Sequence, residues 1–325
     1  MKYKTYNCNS FNIYTIKTDR FKTSHLEVIF KNVLKKEEIG TYSFLADMLS
    51  EGCKKYPRKK DLITRFEELY KIVIYASTMR VGNVIDLHVS LDFINPEYIE
   101  DEGYIEDVIK TLFEVILNPN VCNDEFDLKT FNIVKERLRR EINSLKENPV
   151  KQSIKEAIKT MDSNSPTSYE ILGTIEELEN ITPAKLYNAY KSLRKNFKVD
   201  VFLIGNLDMD NVASLIKKYF KNRYIVSDNF EVMVDNKETK KVKEKTMKSD
   251  NIQTNLVMLF NLKNLSELEK NITLNCFNYL YGSGGLTSKL YKSIREENSL
   301  CYAINSMYLK YDKLLMVQIS LDNCN

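Results

Sequence analysis

The sequence repeats itself at a long period, and that limits the folds open to it. His25-Leu26-Glu27-Val28-Ile29-Phe30 is echoed by Asn255-Leu256-Val257-Met258-Leu259-Phe260, an offset of 230 residues. A helical stripe of Ile39, Tyr42, Leu45, Met48 and Leu49 stops at Gly52, and its counterpart stops at Gly282. Paired strand patterns over residues 73–94 return over residues 302–321. Self-similarity at a fixed spacing means one structural unit used twice. At roughly 100 to 200 residues per domain, a chain of 325 residues holds two such units.

Within one unit, the order of elements gives the fold class. Residues 11–17 and 25–31 alternate as strands do. After the helix that ends at Gly52, a second helix starts near Asp61 with Leu62, Phe66, Leu69 and Tyr70 inward. Ile85, Leu87, Val89, Leu91 and Phe93 then share one face of a strand, with Asp86, His88, Ser90 and Asp92 on the other. Residues 96–197 read as helical almost throughout. Thr182-Pro183 is a start signal there, a capping hydroxyl followed by proline at the first helical position. A buried strand at 199–204 turns at Gly205-Asn206 into a closing helix, 212–220. Strands, then helices, then a closing strand and helix is an α+β order. The expected fold is therefore a tandem repeat of two α+β units, each an antiparallel-rich sheet covered by helices.

The repeat places the first unit at residues 1–225 and the second at 226–325, the latter with only the N-terminal part of the pattern. Residues 237–248, rich in charge, read as a solvated edge strand opening the second unit. Its last strand, residues 313–321, falls opposite residues 83–91, so the first unit's later helices and closing strand have no counterpart. A bare apolar sheet face is one that soluble monomers avoid. The expectation is a truncated product, or a second polypeptide over that face.

Composition closes several function classes. Lys and Arg number 48 against 45 Asp and Glu, a net charge of +3, so no global field draws the chain to nucleic acid or to an anionic membrane. Charged residues are 29% of the chain, and no apolar run nears the roughly 18 residues of a spanning helix. Lys2, Lys4, Lys17 and Asp19 interrupt the first 30 residues, which lack the apolar core of a secretion signal. Cys8, Cys53, Cys122, Cys276, Cys301 and Cys324 form no C-x-x-C pair, as expected of reduced thiols in a cytoplasmic protein. Only His25 and His88 exist, so a histidine cluster within the chain is excluded. Neither has a partner at ligand spacing, and both read as satisfied or solvated imidazoles.

The segment from Tyr42 to Pro57 resembles the active-site helix of the insulinase/pitrilysin family of zinc peptidases. There an H-x-x-E-H motif lies nine residues before the glycine of a G-T-x-x-x-P turn. Positions i and i+4 share a helix face and can hold one zinc, and the glutamate at i+3 can deprotonate its water. Counted back from Gly52, the motif falls on Ser43, Ala46 and Asp47. Both histidines and the general base are replaced. Glu141, ahead of Glu147-Asn148-Pro149, matches the family's third ligand, although the 93 residues between it and Asp47 make a longer spacing than the family uses. Without the metal, nothing lowers the pKa of an attacking water from about 15.7 toward 7.

The resemblance continues. Tyr169, Gly173 and residues 182–190 are similar to the family's stretch before its Val-Ile-Gly strand, here residues 202–205. Gly284-Gly285-Leu286-Thr287-Ser288-Lys289-Leu290, followed by Arg295-Glu296 and Leu300-Cys301-Tyr302, resembles the family's G-G-x-x-S-x-L and R-E-x-x-x-L-x-Y. In active members that arginine and tyrosine reach the substrate. The resemblance is to bacterial members without a zinc site that accompany an active homologue, such as the group associated with elongation factor P modification. It implies a non-catalytic subunit of a zinc metallopeptidase pair, with no catalytic residue and no metal of its own. Arg295 and Tyr302 would bind the peptide, and a homologous partner would carry the zinc. The alternative is a structural or assembly protein of the same fold. The glycines at 282, 284 and 285 also invite a phosphate-loop reading, but no G-K-[ST] follows them, and a capping turn accounts for them better.

Overall fold

Residues that alternate between apolar and polar side chains build the two larger sheets among the described residues, one of six strands and one of three. The structure, a computed structural model, describes residues 3–222, 224–227, 229–237, 241–248 and 253–322. Contacts divide the chain into a first unit (Met1–Arg80, Val84–Arg140, Glu170–Phe230) and a second (Val81–Asn83, Glu141–Tyr169, Glu231–Asn325). No helix among the described residues is long and apolar enough to cross a membrane.

The first unit opens with β1 (Lys4–Asn7), β2 (Phe11–Lys17) and β3 (Thr23–Val33), then α1 (Ile39–Leu49) and α2 (Lys59–Glu68). The long hairpin β4 (Val73–Val81) and β5 (Val84–Ile94) precedes α3 (Tyr104–Leu117). A short hairpin of β6 (Val121–Cys122) and β7 (Glu125–Phe126) leads into α4 (Leu128–Glu147) and α5 (Pro149–Asp162). After α6 (Ile175–Glu179) and α7 (Pro183–Asn196) come β8 (Lys198–Gly205) and α8 (Met209–Tyr219). Thr182 does cap α7, its side chain accepting from the Lys185 amide with Pro183 at the first position.

The strands order β1-β2-β8-β3-β5-β4, so the closing strand β8 inserts between β2, to which it is parallel, and β3, to which it is antiparallel. Leu26, Val28 and Phe30 of β3 meet Leu203, Val201 and Val199 of β8, all at most 1% exposed. Leu87, Val89 and Leu91 of β5 complete that face. Phe220, just past α8, packs edge-on to Phe11 and Phe30 and stacks on Phe113, tying that helix to the sheet and to α3. The polar face of β5 is not open to water as alternation suggests. Asp86 and Ser90 are buried, and His88 Nδ1 lies 2.9 Å from Glu27 Oε1. His25 Nδ1 lies 2.7 Å from Asp92 Oδ1. Each imidazole thus meets a carboxylate through Nδ1, whereas His88 Nε2 is buried without a hydrogen-bond partner.

The second unit carries β9 (Gln253–Asn261), β10 (Ala303–Leu309) and β11 (Leu314–Asp322), ordered β10-β11-β9. Shifted by 230, these are the counterparts of β3, β4 and β5, in the same spatial order. The register differs by two residues: Leu26 meets Leu91, whereas Leu256 meets Ile319. A shift of two keeps every side chain on its own face. The helix expected to stop at Gly282 is only partly α. Its α segment, α9 (Leu274–Asn278), lies between π-helical turns Glu269–Thr273 and Tyr279–Ser283. Val317 and Ile319 pack there with Leu290 and Cys301.

The sequence repeat drew its boundary at 225/226, and contacts group residues differently between 141 and 169. The reason lies within the second unit. α5 packs against β9, Thr167 donates to Asp312 Oδ1 at 2.7 Å, and Ser165 to Asn236 Oδ1 at 2.7 Å. The edge strand expected over residues 237–248 is also absent from its described part: residues 241–248 form no strand. There Lys243 donates to the Met161 carbonyl and Lys245 pairs with Glu156, so these two lysines are held by α5 and not by a ladder. Residues 238–240 lie outside the described residues.

Candidate functional site

α1 presents the three positions at which the resemblance would place zinc chemistry. Its stripe of Phe44, Leu45, Met48 and Leu49 is buried, and Phe44 stacks on Phe131 of α4 at 4.7 Å. That contact fixes which part of α4 faces α1. Ser43, 4% exposed, donates to the Ile171 carbonyl, which leaves Thr78 to donate to the Ser43 oxygen at 2.6 Å. Ala46, 1% exposed, has no polar atom to offer. Asp47 alone keeps a ligating group, and its partner is a cation. Arg137 Nη2 lies 3.2 Å from Asp47 Oδ2, and Arg137 Nη1 donates to Glu51 Oε1 at 2.8 Å. Lys59 adds a second cation, 3.6 Å from the same Glu51 oxygen, and donates to the Ser50 carbonyl.

Burial pushes the Asp47 carboxyl above its ordinary value, with Arg137 opposing that shift and Glu51 adding to it. The guanidinium loses by burial but gains more from Glu51 and Asp47, and stays charged. Glu141 lies one turn further along α4 and is exposed. Among the described residues, no three His, Cys, Asp or Glu side chains come together where a metal ion could sit. The residues present do not fit zinc: a serine committed to a carbonyl, an alanine, and a carboxylate already neutralised. The turn that follows keeps its glycine for a steric reason. A Cβ on Gly52 would lie 2.8 Å from the Tyr56 carbonyl oxygen and 2.9 Å from that of Pro57.

In the second unit, the glycine-rich stretch is a packing device. A Cβ on Gly282 would come within 2.4 Å of Ser306 Oγ on β10, and Gly285 sits at φ +62°. Arg295 lies in the helical turn Tyr291–Glu296, its guanidinium carbon 4.9 Å from the Tyr291 ring centre. Ser299 then takes a left-handed conformation at φ +52°, its N–H donating to the Arg295 carbonyl, and Leu300 donates to the Ile294 carbonyl. This turn leads to Tyr302, just before β10, whose amide donates to the Ser320 carbonyl and whose residue is 55% exposed. The chain therefore turns at Ser299, between Arg295 and Tyr302. Sequence reasoning missed Arg137, Glu51 and Lys59. Glu51 at i+4 from Asp47 was legible; Arg137, ninety residues on, was not.

Residues 180–324 match the family model described as the Peptidase M16 inactive domain. Over 312 residues the chain is 26% identical to the probable inactive metalloprotease YmfF of Bacillus subtilis (strain 168), covering 94% of this chain and 72% of that protein. A conserved protein from Enterococcus faecalis V583 has a similar structure, with a TM-score of 0.87 at 23% identity over 97% of this chain and 74% of that one. The M16 inactive domain from Pseudomonas fluorescens gives 0.75 at 16% identity, over 99% of this chain and 75% of that one. Sequence match and fold agree: residues 180–324 resemble the M16 inactive domain, and the whole chain is similar to a probable inactive metalloprotease and has the fold of M16-like proteins.

Proposed function

We propose that this protein is the non-catalytic, substrate-binding subunit of an M16 peptidase pair, acting in the cytoplasm with a homologous subunit that carries the zinc. The observation that carries the reading is α1, where Ser43 and Ala46 offer no ligand and Arg137 neutralises Asp47. Hydrolysis then needs a metal from elsewhere. The peptide would be held by Arg295, near a helix end, and Tyr302, just before β10. A guanidinium fork and a phenol suit the carbonyls of an extended peptide. The exposure of Tyr302 and the left-handed turn between the two support such a role. Among the described residues Cys8, Cys53, Cys122, Cys276 and Cys301 are free, in keeping with a reducing compartment.

Reconstitution with the intact H-x-x-E-H homologue tests this. Arg295→Ala and Tyr302→Phe should leave folding and pairing intact and lower peptide turnover about a hundredfold, the usual cost of one lost transition-state donor. Unchanged turnover by a pair carrying both substitutions refutes the binding role and favours an assembly protein of the same fold. Failure of the two chains to associate refutes the pairing itself.

A further inference from the structure

We propose that Arg137, with Lys59, is a fixed cation pair that occupies the place of the family's metal and closes that place to one. The carboxylates of Asp47 and Glu51 lie one helical turn apart on α1 and its end, and together carry two negative charges. Arg137 bridges both, at 3.2 and 2.8 Å, and Lys59 approaches Glu51 at 3.6 Å. The two cations supply the same formal charge as a divalent metal, but on side chains that cannot dissociate. Glu51 is the most enclosed of the four, its side chain 11% exposed, so the charge it would leave unpaired is the costly one. The guanidinium fork suits the task because it can donate to two carboxylates at once, which an ammonium does with poorer geometry. The pair thus clamps α1 to α4 without metal. It also leaves no open coordination position where a water could be activated. The inference does not depend on the pairing with an active homologue.

Thermal unfolding and zinc binding test it on the full chain. Zinc ion in excess should neither bind the wild type at one per chain nor shift its transition, and a chelator should change nothing. R137M/K59M should lower the transition by about 5 °C. D47N/E51Q should lower the wild-type transition but raise that of R137M/K59M, because there it removes two unpaired charges. Should R137M/K59M fail to fold, R137K, which keeps the charge and loses the fork, replaces it in the same cycle, with a smaller fall expected. An equal effect of D47N/E51Q in both backgrounds would show that these charges do not act together, and would overturn the proposal. So would one tightly held zinc per wild-type chain.

Discussion

Gly205, where β8 leaves the sheet, can carry no side chain, and Gly205→Ala should be among the most damaging single-methyl additions to the first unit. A Cβ there would lie 1.8 Å from Ser24 Oγ, 2.6 Å from Ser24 Cβ and 3.0 Å from its Cα, so the neighbour's backbone is involved and rotation alone cannot relieve it. The residue also sits at φ +155°, a region that side chains disfavour at a cost of about 1–3 kcal/mol. Moving Ser24 breaks its hydrogen bond to Asn95 Oδ1, 2.6 Å long between residues 1% and 0% exposed. Asn95 keeps its bond to the Phe21 carbonyl but gains a buried unsatisfied oxygen, worth about 1–3 kcal/mol. The two costs together come to about 4 kcal/mol, a fall of roughly 10 °C in the transition. Differential scanning calorimetry of Gly205→Ala, Ser24→Gly and the double variant measures it. Ser24→Gly removes both clashing side-chain atoms, so the double variant should be more stable than the sum of the singles. Strict additivity, or a Gly205→Ala transition within a degree of wild type, would refute the steric account.

Three further outcomes follow from particular residues. Burial raises the Asp86 pKa, so its contribution to stability is full below its unfolded value and is lost as pH rises through the folded one. Asp86→Asn should therefore stabilise the protein at neutral pH, with the gain shrinking as melts are run toward pH 4; a constant difference at every pH contradicts this. On β9, at one side of its sheet, Leu256, Met258 and Phe260 are 43%, 36% and 45% exposed, so the second unit should self-associate as concentration rises, and Phe260→Lys should suppress it. A wild type that sediments as a monomer at every concentration would count against that. Elemental analysis of the purified chain should find no stoichiometric zinc, since Ser43, Ala46 and Asp47 occupy the critical helix positions; one zinc lost on Asp47→Ala would reverse the reading of α1.

Local pattern made the α+β order of the first unit and the 230-residue repeat legible, because both rest on short-range periodicity. The strand of residues 84–94, the cap at Thr182 and the glycine stops are set by neighbours a few residues away. The altered zinc helix was legible for the same reason: ligands at i and i+4 must appear in one short segment, and Ser43, Ala46 and Asp47 do not supply them. What pairs across long loops was not. No local signal says that β8 inserts between β2 and β3, since strand order follows from closing a sheet without free apolar faces. Nor could spacing place α5 against β9, or show that Lys243 and Lys245 reach α5 instead of flanking a strand. Arg137 is the sharpest case. One arginine among several on an amphipathic helix reads as a solvated charge, and the packing of α4 on α1, where Phe131 stacks on Phe44, puts this one between Asp47 and Glu51. Sequence determined which chemistry the helix had lost, because that is a matter of residue types at fixed spacing; tertiary structure decided what took its place, because charges ninety residues apart meet only when helices pack.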